Sequence, residues 1–162
     1  MTTDRDADRG TLEALAREAY GEIERTHWWT IWARLSFTRH LSDETALKHI
    51  ERWAAVLRAA MPGTAVLSGV HNDTPLTHCH PLIYVPRRHC SISPLRPSAW
   101  TGWAEAILNW PHGPVWVAPY DPTFAGDAHT HGAAEYLARF PGTVLLFGTA
   151  PPSRTSKQEK HQ

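Results

Sequence analysis

TAVLSGVHNDTPLTHCHPLIYV, spanning Thr64 to Val85, reads as two strands joined by a short turn. Thr64 to His71 is apolar and rich in small and β-branched residues, Asn72-Asp73-Thr74-Pro75 carries turn chemistry, and Leu76 to Val85 is apolar again. Side chains two apart on a strand share a face. His78 and His80 therefore stand side by side, and Cys79 between them points to the opposite face, into the core. Two imidazoles at that separation can share one divalent metal ion. His71 ends the first strand, and the turn brings it back toward His78 as a candidate third ligand. A hairpin-end histidine facing water is the plainer alternative, and Asn72 and Asp73 are alternative oxygen donors.

Working outward, Trp28 to Thr38 forms a strand ahead of the hairpin. Ser42-Asp43-Glu44 opens a helix whose apolar face is Ala46, Leu47, Ile50, Trp53, Ala54, Leu57 and Ala60, stopped by Met61-Pro62-Gly63. Leu12, Leu15, Ala16, Ala19 and Ile23 mark an earlier helix over 11–25, with Thr11 as its cap. Beyond the hairpin come a basic loop (Pro86 to Pro97), a helix from Ser98 to Pro111 and a strand from Pro114 to Pro119. A helix over 127–140 and a strand from Thr143 to Phe147 follow. This order predicts an α+β fold: an antiparallel sheet of about five strands with helices packed mainly on one face, ferredoxin-like in type. One domain over 11–150 is expected, with a flexible lead over 1–10 and a disordered tail over 151–162.

Formal net charge is zero over 162 residues, which neither demands nor forbids a nucleic-acid partner. Of the 16 basic residues nearly all are arginine, the side chain suited to bidentate phosphate contact. Eight tryptophans fit a packed core first and base-stacking platforms second. Two cysteines are too few for a disulfide framework, no apolar run is long enough to cross a bilayer, and the polar N-terminus has no secretory pattern. A cytoplasmic protein without membrane attachment is expected.

Tyr136 and Arg139 lie three apart in a helical stretch and so share a surface. A tyrosyl oxygen is a workable nucleophile toward phosphorus, and an arginine beside it can hold the phosphate. The competing reading places Tyr136 in a packing stripe with Ala133, Leu137 and Phe140. Arg87, Arg88 and Arg96 either line a DNA backbone groove or form a solvated loop. His129 and His131, at a helix start, do not face each other and make a poor second metal site. A structural zinc domain built on Cys79, His89 and Cys90 is a further alternative, which the opposed facing of Cys79 disfavours.

The order of these pieces, a hydrophobic strand at Leu35-Ser36-Phe37-Thr38, an amphipathic helix, His78-Cys79-His80, and a helix bearing Tyr136-Leu137-Ala138-Arg139-Phe140, resembles the HUH endonuclease superfamily. Within it the chain is similar to small rolling-circle replication initiators of plasmids and phages, over roughly residues 28–148. The resemblance implies metal-dependent nicking and joining of single-stranded or hairpin DNA, through a 5′-phosphotyrosine on Tyr136. It further implies His78 and His80 as metal ligands, Mn²⁺ or Mg²⁺ as the ion with Zn²⁺ as the variant, and a host helicase as partner. The sequence departs from the pattern at three points, one being the first strand, where Ala33-Arg34-Leu35-Ser36-Phe37 is only a loose version of the family's threonine-bearing motif. Arg139 stands where lysine is usual, and His71 stands where a carboxylate is common, which shifts preference toward transition metals. A catalytically reduced DNA-binding protein, a transposase and a relaxase of the same superfamily are the alternatives.

Overall fold

The computed structural model describes residues 4–72, 74–86, 107, 109–120 and 144–154. Tyr136, Arg139, Arg87, Arg88, Arg96, His129, His131, His89, Cys90 and the helix expected over 127–140 lie outside the described residues; of the helix expected from Ser98 to Pro111, Ile107, which is helical, and 109–111, which are not, are described. The described elements are α1 (Asp4–Thr26), β1 (Ile31–Ser36), α2 (Asp43–Ala60), β2 (Ala65–Ser68), β3 (Val70–His71), β4 (His78–Cys79), β5 (Leu82–Tyr84), β6 (Val115–Pro119) and β7 (Leu145–Phe147). None of the described helices is long and apolar enough to cross a membrane.

All strand pairings are antiparallel. β4 and β5 keep one register against β1, and β2 and β3 keep one register against β5 and β4. The seven segments thus line up as five strand paths, in the order β7, β2–β3, β5–β4, β1, β6. The break between β4 and β5 falls at His80-Pro81, because proline has no N–H to give the ladder. Its carbonyl still pairs, accepting from Ala33 N at 3.0 Å. Gly69 separates β2 from β3 at the facing position. β1 and β2–β3 run parallel to each other, with β5–β4 inserted between them and α2 as the crossover, which is a split βαβ arrangement.

Ser42 caps α2, its Oγ accepting from Thr45 N at 3.3 Å, and Asp43 and Glu44 occupy the first turn, where the helix dipole favours acids. Ala46, Ile50, Trp53, Ala54 and Leu57 recur at helical spacing and are buried. They pack on Ile31, Ala33, Leu35 and Phe37 of the β1 stretch, and on Val66, Val70, Cys79, Ile83 and Val85. Each fully buried aliphatic side chain here stabilises the fold by roughly 1.5–3 kcal/mol.

Helices mainly on one face is not what the described residues show. A second cluster, Trp29, Leu67 and Leu82, lies on the other face, and Tyr20 and Ile23 of α1 pack against it. At this end of the sheet both faces are apolar, so both need cover. α1 also begins at Asp4, earlier than the expected Thr11 cap, since Gly10 alone is too weak a breaker to stop it.

The expected disordered tail needs correction at its start. Trp28 N donates to Pro152 O, Arg154 N donates to Thr26 O, and the Arg154 guanidinium sits 5.2 Å from the Trp28 ring centroid. Pro151–Arg154 is therefore fastened to the end of α1, and 155–162 lie outside the described residues.

β6 docks on β1 through a close backbone approach. A Cβ at Gly113 would stand 2.4 Å from Ser36 O, so only glycine fits there. Gly113→Ala is expected to cost about 1–3 kcal/mol of stability, as overpacking does. A urea midpoint unchanged from wild type would contradict that close approach.

Candidate metal centre

His71 and His78 face each other directly across the β3–β4 pair, and His80 follows two residues along on the same face. Each of the three offers a ring nitrogen, and these nitrogens lie within 4.8 Å of one another. Ring centroids are separated by 5.4 Å (His71–His78), 5.3 Å (His71–His80) and 5.1 Å (His78–His80). Exposures of 0 %, 2 % and 9 % for His71, His78 and His80 place three ionisable rings inside the protein. Such a cluster is costly if charged. The His80 pKa is pushed down to about 2, first by burial, then by His71, His78 and Arg34, so the ring is neutral with a lone pair available.

The hairpin turn fixes this convergence. Thr77 Oγ1 accepts from Leu41 N at 2.7 Å and donates to Asn72 Oδ1, while Asn72 Nδ2 donates to Leu41 O at 3.2 Å and to Asp43 Oδ1. The turn is thereby tied to the start of α2, which sets the β3–β4 register. A one-residue slip would send His71 to the other face. Asn72 is spent on this lock and is not an oxygen donor to the site; Asp73 lies outside the described residues.

His78 Nδ1 lies 3.3 Å from Leu76 O and 3.3 Å from Thr74 Oγ1. A carbonyl oxygen only accepts, so Nδ1 carries the proton and Nε2 keeps its lone pair. An outer hydrogen bond that selects the ligating nitrogen is the usual support of a metal-binding histidine. Trp32, on β1, stacks on His80 with centroids 5.4 Å apart and walls that side of the site.

Cys79 points the other way, as its strand position predicts. It is fully buried, its Sγ lies 3.8 Å from Leu35 O, and burial pushes the thiol up to about 12. It is a core residue and no ligand, which removes Cys79 from the zinc-domain reading.

The structure thus brings together His71, His78 and His80, and these three can hold a metal ion. It also shows neighbours that the sequence reading missed. Trp32 and Arg34 alternate with the buried Ala33 and Leu35, so their strand period already placed them opposite the core. Only the strand register shows that they flank the histidines. Compared with known protein families, with curated proteins and with solved structures, the chain matches none.

Proposed function

We propose that this chain is a metal-dependent endonuclease and ligase of the HUH type, nicking and rejoining single-stranded DNA as replication initiators of rolling-circle replicons do. The observation that carries the reading is the pair His78 and His80 on an internal strand, flanking an inward-facing core residue and completed by His71 from the paired strand. The split βαβ arrangement, with one further strand beside β1, supports the ferredoxin-like form of the fold. Three imidazole nitrogens suit Mn²⁺, Zn²⁺ or a related transition ion better than Mg²⁺, which prefers an oxygen shell.

When bound, the ion supplies Lewis-acid polarisation of the scissile phosphate. The chain's own residues do the rest. His71, His78 and His80 hold the ion, and Trp32 shields the His80 side from water. Tyr136 attacks phosphorus: the tyrosyl O–P bond forms, the P–O3′ bond breaks, and the phenolic proton leaves with the 3′ oxygen as a free hydroxyl. Arg139 holds the phosphate during the exchange. The reverse attack by a 3′ hydroxyl rejoins the strand. Hairpin DNA and a host helicase fit this role as partners, in the cytoplasm.

A pool of randomised, end-labelled single strands incubated with the full chain and Mn²⁺ should give a covalent protein–DNA band on a denaturing gel. Chelator, or a duplexed pool, should remove it. Failure of Mn²⁺, Zn²⁺, Co²⁺ and Mg²⁺ alike to produce the band would sink the nickase reading, and tight chelator-resistant binding without cleavage would leave a DNA-binding role.

A further inference from the structure

On the face that carries the histidines, one row of side chains runs across three neighbouring strands. Trp116 of β6 lies opposite Arg34 of β1. The β1 register, Leu35 against Cys79 and Trp32 against Leu82, places Arg34 opposite His80 in turn. Directly opposed residues of antiparallel strands project to the same face. The row therefore passes from the buried His80 to the exposed Arg34 and on to Trp116, which is 48 % exposed. Two strand spacings, about 10 Å, separate its ends. Arg34 and Trp116, the two residues nearest the solvent end of the row, are one spacing apart, about 5 Å.

Neither side chain is accounted for by the fold. Arg34 belongs to no ion pair among the described residues, and Trp116 has no ring or cation contact among them. Trp28, also partly exposed, differs in being covered by Arg154. A lone exposed tryptophan needs no explanation. One set beside a guanidinium that has no ion pair among the described residues, in line with a metal ligand, makes a composite surface: a flat aromatic face, a cation and the edge of the candidate metal centre.

We propose that Arg34 and Trp116 seat one nucleotide of the single strand beside the metal centre, the base stacked on the Trp116 indole and its phosphate held by the Arg34 guanidinium. The inference rests on the single-strand reading above and adds where the strand lies: across the sheet from β4 toward β6. Stacking requires an unpaired base, so the seat selects single strand over duplex. It tolerates any base, because every base offers a π-face. Arginine suits the phosphate better than lysine would, since its planar fork meets two phosphate oxygens at once.

The test is fluorescence anisotropy of a labelled oligo-dT strand with the full Mn²⁺-loaded chain, across a salt series. Trp116→Thr keeps a strand-forming residue but removes the ring, and should weaken binding roughly tenfold. Trp116→Phe should recover most of the loss. Arg34→Ala should lower the slope of log affinity against log salt by about one. Mn²⁺ affinity should stay at the wild-type value in both Trp116 variants and should not fall in Arg34→Ala, where a cation beside His80 is removed, which separates a strand-seating role from damage to the fold. Wild-type binding with Trp116→Thr and Arg34→Ala indistinguishable from it would overturn the seat and leave the proposed function standing. A wild-type chain that does not bind oligo-dT at all would also overturn the base-tolerant seat, while the proposed function stands or falls on the covalent band.

Discussion

The double variant His78→Ala/His80→Ala is expected to bind neither Mn²⁺ nor Zn²⁺, with affinity down by more than about a hundredfold. Loss of an outer hydrogen bond to a ligand commonly costs tenfold to a hundredfold by itself, and here two of three first-sphere donors go. The thermodynamic readout is equally direct. An ion that binds only the folded state stabilises it by about 2.7 kcal/mol at a free concentration a hundred times its dissociation constant. Wild-type protein should therefore melt higher when Mn²⁺ or Zn²⁺ is added, and the double variant should not. Calorimetric titration gives the affinity, and urea unfolding of the metal-free proteins separates lost binding from lost packing. His71→Ala keeps the His78–His80 pair and should fall between the two. An undiminished affinity in the double variant would place the metal site elsewhere.

Tyr136→Phe should abolish the covalent adduct, slowing strand cleavage at least about 10⁴-fold, the scale of losing a covalent nucleophile. Oligonucleotide and metal affinity should be unchanged. The chain has four tyrosines. Tyr20, Tyr84 and Tyr120 all pack around the cluster of Trp29, Leu67 and Leu82. Tyr84 lies four residues beyond His80, about 13 Å along the strand. Tyr120 sits opposite Thr30, accepted by its carbonyl at 2.9 Å, with its hydroxyl bonded to Glu24. Tyr84→Phe and Tyr120→Phe should accordingly keep the adduct. An adduct of wild-type yield from Tyr136→Phe would remove Tyr136 from the chemistry.

The parts of this site that could be read in the sequence are those written at short range. Alternation along 64–85 gives the hairpin, the opposed facing of Cys79 and the common face of His78 and His80. Placing His71 among them takes a register, and that register is held by Thr77 and Asn72 reaching Leu41, contacts that span 36 and 31 residues. Local pattern does not encode such pairs. The cover on the second face was missed for a related reason. Leu67 and Leu82 sit in strands apolar on both sides, which read as continuous runs and do not say which helix lies where. Pro151–Arg154 looks like a solvated tail by composition. Its attachment uses backbone groups that composition cannot report.

The interruption at Gly69 and His80-Pro81 has a mechanical side. His71 and His78 ride on the short β3–β4 end of the hairpin, beyond the gap in the ladder, and His80 stands at the gap itself. Rotation of that end would carry two ligands as a rigid pair relative to the third. The continuous β1, paired with both halves, and the tie from Asn72 and Thr77 to the start of α2 are the two stays that oppose such a rotation and hold the three rings at one spacing.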